Sequence, residues 1–337
     1  MPHRPALRPL VDAAPDERRV PLGLGAAPLG NLFAPVSDEE AAATVDAAWE
    51  AGIRSFDTAP LYGYGESERR LGAALAGRPR DEYVISTKVG RLIRAGAPPS
   101  PEQLHQGGHY YKVSTDRNPV FDYSYDGVMT SVEESLARLG LDRIDLLYIH
   151  DPDDHYREAV AGACLALDSL RSQGVVRAIG VGMNQTAMLA AFAEVADFDY
   201  FLVAGRYTLL DQDADERLFS VCADRDIGVV AGGVFNSGVL ATPVPGATYD
   251  YLPAAPNVLA RAREIERVCG RYDVPLAAAA MQFPARHPVV SAVLVGARTP
   301  AEVRTNAQLY ATPIPDELWR DLAATGIFRV TNPQESA

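Results

Sequence analysis

The chain has 337 residues, 47% of them hydrophobic, which is enough for one large core. A net charge of −13 repels phosphate backbones and anionic lipid, so neither nucleic acid nor a membrane surface is an expected partner. No apolar run is long enough to span a bilayer.

Residues 1–19 carry basic side chains with no apolar segment behind them, and they read as a Pro-rich arm rather than a secretory signal. The arm leads into one domain over 20–330, followed by a short tail at 331–337. Strands are predicted at 20–24, 53–57, 83–88, 144–150, 178–183, 200–204, 229–232 and 290–295. Helices are predicted between them at 37–51, 66–75, 126–139, 156–173, 186–194, 216–225, 259–272, 276–285 and 300–310. A last helix at 316–324 is expected to pack outside. Ser37 and Glu40 have capping-box spacing at the first helix. Strands that alternate with helices pair in parallel, and eight such units make a closed α/β barrel, a (β/α)8 TIM barrel. No glycine fingerprint of an open dinucleotide-binding sheet follows the first strand.

Cys164, Cys222 and Cys269 are widely spaced, with no CxxC pair. They read as buried small hydrophobes, and the expected compartment is the cytosol.

Asp57, Lys88 and His150 each end a predicted strand, and Tyr62 lies just past the second. In a parallel barrel those strand ends share the face on which active sites are built. Taken singly, each residue has a structural explanation: a cap, a solvated lysine, a satisfied histidine, a packed tyrosine. Four on one face form a set that can move a proton at a carbonyl or alcohol oxygen. A tyrosine with an ordinary pKa of about 10 is a poor acid or base near neutrality. A Lys88 ammonium held by Asp57 is expected to lower it. The set has no nucleophile with a base partner and needs a hydride carrier.

The segments FDTAPLYGYGESERRLG, STKVG, DRIDLLYIHDPD and GVVRAIGVGMNQ resemble the aldo-keto reductase superfamily, over about 20–310. The resemblance implies Tyr62 as general acid/base, Lys88 and Asp57 as its tuning pair, and His150 as the group that orients the substrate oxygen. Further segments, among them DYSYDGVMTSVEESLARLG, AGRYTLLDQ and GGVFNSGVL, resemble the aldose 1-dehydrogenases acting on L-fucose, L-galactose and D-threo-aldoses. They resemble the bacterial pyridoxal 4-dehydrogenases equally. Both groups oxidise a ring hemiacetal to a lactone. An NADPH-dependent carbonyl reductase and a cofactor-binding regulatory subunit are the other readings, and the intact four-residue set argues against the second.

The glycine-rich turn through Phe235, Asn236, Ser237 and Gly238 follows the seventh strand, and Gly296, Ala297 and Arg298 follow the eighth. Both are natural anion sites. The resemblance implies that they hold NAD(P), with Asn306 at the adenine and Asn184, next to Met183, at the carboxamide. Glu302 stands where NADP-preferring relatives carry an arginine for the 2′-phosphate, which points to NAD. It also lies three residues after Thr299, so it reads equally well as part of a helix cap. Two departures from the family pattern are Gly232, in place of a nicotinamide-stacking aromatic residue, and Ala204, in place of a glutamine. Arg206 and Tyr207 are the candidates to compensate.

The stretch 90–122 is long for a connection without regular structure and reads as a substrate loop. Its Tyr110, Tyr111 and Phe121, with Tyr123 just beyond, offer aromatic faces to a small-molecule sugar or aldehyde. His105 and His109 are four apart, but Gly107 and Gly108 between them argue against a helix and hence against a metal pair.

Overall fold

The computed structural model describes residues 20–99, 104–105 and 108–326; the predicted arm and tail lie outside them. Eight strands form the barrel: β1 (Leu22–Gly25), β2 (Ser55–Asp57), β3 (Val84–Val89), β4 (Leu146–His150), β5 (Ala178–Met183), β6 (Tyr200–Ala204), β7 (Gly228–Gly232) and β8 (Val290–Gly296). Each pairs in parallel with its sequence neighbour, and β1 closes the ring against β8. The predicted (β/α)8 barrel is the observed fold, with strand limits shifted by at most two residues.

The strands are legible because they are buried on both faces. Side chains alternate across a strand. In β3 this sends Val84, Ser86 and Lys88 into the barrel and turns Ile85, Thr87 and Val89 toward the helices. Val84, Leu146, Tyr148, Ala178, Tyr200, Leu202, Val230 and Ala292 fill the interior below the site. A larger apolar shell lies between barrel and helices, and Cys222 and Cys269 are fully buried in it. All three cysteines are buried and unbridged, as expected.

Local chemistry fixes the helix ends. Ser37 caps the helix Asp38–Glu50 by accepting from the Glu40 N–H at 3.1 Å, and three carboxylates in its first turn favour the helix dipole. The helix Tyr125–Leu139 ends at Gly140 with φ 64°, whose N–H reaches the Leu136 carbonyl at 2.9 Å. Buried Glu68, on the helix Glu66–Leu75, takes bonds from Thr87 Oγ1 at 2.7 Å and Arg138 Nε at 2.6 Å. That carboxylate ties two helices to the outer face of β3, one residue before Lys88.

Three expectations need correction. The stretch after β3 is not without regular structure: Arg91–Ala95 pairs antiparallel with Arg117–Phe121 over five residue pairs, a ribbon standing on the barrel rim. The helix expected at 156–173 is interrupted by a π-helical turn, Ala159–Ala163. The helix expected at 216–225 is two short ones, Asp213–Glu216 and Leu218–Asp224. Among the described residues no helix is long and apolar enough to cross a membrane.

Candidate active site

The C-terminal ends of β2, β3 and β4 bring Asp57, Lys88 and His150 together. Lys88 is 2% exposed, and its ammonium donates to Asp57 Oδ2 at 2.6 Å and to the Thr58 carbonyl at 2.9 Å. Ser86 Oγ donates to the other Asp57 oxygen at 2.7 Å. Lys88 Nζ lies 4.6 Å from the centre of the Tyr62 ring, and that ring meets His150 edge-on at 5.8 Å. All four predicted residues therefore converge.

Two glycines make the Tyr62 turn possible. A β-carbon on Gly63 would lie 2.5 Å from the Gly30 carbonyl oxygen, and one on Gly30 would lie 2.6 Å from the Tyr62 carbonyl carbon. Gly63 also takes φ 65°. The turn after β2 thus lies directly on the short helix Ala27–Gly30.

The expected lowering of the Tyr62 pKa is reversed. Burial pushes the phenol well above its usual value, the Asp57 and Asp151 carboxylates add to this, and Arg91 opposes it. The Lys88 charge is shared with Asp57, so the pair offers Tyr62 little net positive field. His150 moves the other way: burial, with Arg91 and Lys88 adding, holds its imidazole well below the usual range. The ring is therefore neutral and carries one proton. Asp151 Oδ2 lies 3.4 Å from His150 Nε2, which favours the proton on that nitrogen. The site holds a protonated phenol and a neutral imidazole donor, suited to proton exchange at one oxygen.

Rings from three loops gather over Tyr62. Tyr111 lies 6.1 Å from it. Tyr110 contacts Phe33 at 5.6 Å and Tyr251 at 6.0 Å. Phe121 stands apart, stacked on buried Tyr123 and 5.1 Å from the Arg91 guanidinium. Tyr123 donates to the carbonyls of His150 and Asp151 at 2.7 and 3.0 Å, a backbone role rather than a substrate face. Sequence reasoning missed Phe33, Arg91, Asp151 and Tyr251. Asp151 stands inside a quoted motif, next to His150, and Arg91 directly follows another that ends at Gly90, while Phe33 and Tyr251 lie in loops with no pattern to mark them.

His109 Nδ1 lies 3.2 Å from the Tyr64 hydroxyl, while the His105 side chain is outside the described residues. Among the described residues no three His, Cys, Asp or Glu side chains converge on a metal position.

The turn after β7 places Asn236 at φ 45° and Ser237 at φ 62°, behind Phe235 at φ −92°. Alternating helical hands of this kind make a concave row of N–H groups. The Asn236 side chain is spent on structure: it accepts from Thr208 at 2.6 Å and donates to the Gly205 carbonyl at 3.0 Å. Gly238 closes the turn on the Phe235 carbonyl at 3.0 Å. After β8, Ala297 is buried and Gly296 accepts from Asn306 Nδ2 at 3.5 Å. Thr299 caps the helix Pro300–Ala311, and Glu302 Oε2 accepts from the Arg298 N–H at 2.7 Å. Glu302 therefore does serve the helix start, one residue before the expected partner. Arg298 reaches the Leu32 carbonyl at 3.1 Å, and its buried Nε has no partner. Asn184 is half-buried at the end of β5.

These features fit a dinucleotide. The Arg298 guanidinium, with one nitrogen that has no partner, stands at the start of a helix, a place that favours anions. At buried Gly232 a β-carbon would make only ordinary contacts, 3.5 Å from Leu202 and 3.9 Å from the Val203 carbonyl, so a larger side chain is not sterically barred from the end of β7. The proposed compensators serve otherwise: Arg206 pairs with Asp250 at 2.9 Å, which anchors the Tyr251 loop, and Tyr207 is buried against Phe219 and Phe283.

Comparison with known proteins agrees with this geometry. The profile of the Aldo/keto reductase family matches residues 21–326. A D-threo-aldose 1-dehydrogenase of Pseudomonas sp. is 46% identical over 308 residues, covering 90% of this chain and 92% of its own. A pyridoxal 4-dehydrogenase of Microbacterium luteolum is 44% identical over 325 residues, covering 91% and 94%. The holo structure of an aldo-keto reductase from Bacillus halodurans superposes with a TM-score of 0.71 at 27% identity, covering 94% of each chain. The chain belongs to the aldo/keto reductase family and is an oxidoreductase of the NAD(P)-using kind.

Proposed function

We propose that the enzyme oxidises the anomeric carbon of an aldose of the L-fucose, L-galactose or D-threo type to a lactone, with NAD as its nucleotide. The observation that carries this is the convergence of Tyr62, Lys88, Asp57 and His150 beside a cleft of about 290 Å3 lined by Phe121, Asp151, Asp153, Asp154, His155 and Gln185. Carboxylates and an amide beside an aromatic face suit a polyhydroxylated ring. The Pseudomonas relative's name supports the same substrate class.

In this reading the neutral His150 donates from Nε2 to the anomeric oxygen and fixes its position. Tyr62, first ionised to the phenolate, takes the hydroxyl proton as the C–H bond yields its hydride and the carbonyl of the lactone forms. Asp57 holds Lys88 under the Tyr62 ring, 4.6 Å from its centre, where the neutralised pair fixes the ring's floor rather than supplying net positive field. Bound oxidised nicotinamide supplies the hydride acceptor, together with a positive charge that favours the phenolate. The turn Phe235–Gly238, with Gly296, Ala297, Arg298, Asn306 and Asn184, would hold the nucleotide. The Glu302 carboxylate, exposed at the start of the helix, repels a 2′-phosphate while it caps, so the two roles read from the sequence are compatible.

A second substrate, pyridoxal, is favoured by the Microbacterium relative and by the rings of Tyr110 and Tyr111 over the site. The test is the rate of NADH appearance with NAD⁺ and L-fucose, L-galactose or pyridoxal, each repeated with NADP⁺. Turnover of an aldose with NAD⁺ is expected. Turnover of pyridoxal alone would move the assignment to the second substrate, and activity with NADP⁺ alone would leave Glu302 a helix cap only.

A further inference from the structure

The structure spends several unusual features on placing one carboxylate. Asp151 directly follows His150 and takes φ 38°, a left-handed conformation that a residue with a β-carbon adopts at a cost. Its N–H is fixed to the Gly182 carbonyl at 3.0 Å. The Tyr123 hydroxyl clamps the His150 and Asp151 carbonyls, one on each side of the Asp151 α-carbon. A β-carbon on Gly90 would lie 2.1 Å from the Tyr123 ring, so the clamp itself needs that glycine. Arg91 comes next in sequence, is 8% exposed, and gives Nη2 to Asp151 Oδ2 at 3.1 Å. Its Nε is buried with no partner, so the guanidinium retains a donor beyond the ion pair.

The same Asp151 oxygen lies 3.4 Å from His150 Nε2, yet a third of the side chain is exposed in the cleft beside Phe121. An oxygen bonded to His150 Nε2 therefore has Asp151 Oδ2 as its neighbour. That spacing is comparable to the separation of oxygens on adjacent carbons of a sugar.

We propose that Asp151, held by Arg91, is a specificity-determining residue that accepts a hydrogen bond from the hydroxyl on the carbon next to the reacting one. The inference rests on the aldose reading above and deepens it. The carboxylate selects substrates with a hydroxyl there, because a substrate lacking it covers the carboxylate and makes one hydrogen bond fewer to it.

The experiment measures kcat/KM with NAD⁺ for L-fucose and 2-deoxy-L-fucose, and for L-galactose and 2-deoxy-L-galactose, in wild type, Asp151→Ala and Asp151→Asn. The difference in intrinsic reactivity between parent and deoxy sugar cancels when their ratio is compared across proteins. A hydrogen bond to a charged group is worth about 10- to 100-fold, so the wild-type ratio should exceed that of Asp151→Ala by this factor. Asp151→Asn keeps the shape and one acceptor and should fall between the two; it carries the test if the alanine variant fails to fold. A ratio unchanged in the variants, including equal losses on both sugars, overturns the proposal and leaves Asp151 as a support for His150. A wild type that turns over no aldose overturns the substrate reading instead.

Discussion

Replacing Lys88 by Met isolates the buried ion pair beneath Tyr62. Asp57 is 4% exposed and Lys88 2%, so removal of the ammonium leaves a carboxylate in a dry interior with the Ser86 hydroxyl at 2.7 Å. Breaking a buried pair from one side costs about 3–5 kcal/mol, because the remaining charge is uncompensated. An unfolding entropy of about 2.1 cal/mol/K per residue gives a chain of 337 residues about 0.7 kcal/mol/K. The melting temperature should therefore fall by about 4–7 °C. The double variant Asp57→Asn with Lys88→Met removes both charges and both desolvation costs, so it should recover most of that loss. Thermal melts of the wild type, both single variants and the double variant close the cycle. Losses that simply add would show that the two groups do not stabilise each other, and the reasoning would fail.

Other outcomes follow from the same structure. Burial among Tyr207 and Phe219 lowers the His287 pKa from 6.5 to about 4, although Asp215 lies 3.5 Å away. The folded state disfavours the charged ring, so this stability is present above the unfolded pKa and is lost as pH falls from about 6.5 toward 4, by about 3 kcal/mol. Urea unfolding of His287→Leu should show a shallower acid limb across that window, and an identical limb would contradict the assignment. Gly63→Ala forces a β-carbon against Gly30 at positive φ and should cost about 2–4 kcal/mol, read from the urea midpoint; a neutral effect would mean the turn relaxes freely. Because burial raises the Tyr62 pKa, sugar oxidation should quicken as pH rises into the alkaline range, and a flat profile there would remove Tyr62 as the base.

The barrel was legible because runs such as IDLLYIH and VISTK are apolar on both faces and alternate with amphipathic helices. The ribbon Arg91–Ala95 with Arg117–Phe121 was not, since neither strand alternates: Arg91, Leu92 and Ile93 are buried in succession, charge included, and Arg117–Phe121 is mostly exposed or half-buried. The four convergent residues could be placed by topology alone, as strand ends of a parallel barrel share one face. The direction of the Tyr62 shift could not, because it depends on how completely loops from β1, β3 and β7 enclose the ring. Asp151 escaped notice beside His150 for a similar reason: its role depends on Arg91, which reaches it across 60 residues of chain.

The most direct test of the account is Tyr62→Phe, assayed for NADH formation from NAD⁺ with L-fucose or L-galactose and for NADH binding by fluorescence. Loss of a positioned acid/base should lower turnover by about 10²–10⁴-fold while nucleotide affinity is retained. Turnover at the wild-type rate in that variant would contradict the assignment of proton transfer to Tyr62, and with it the mechanism proposed for this site.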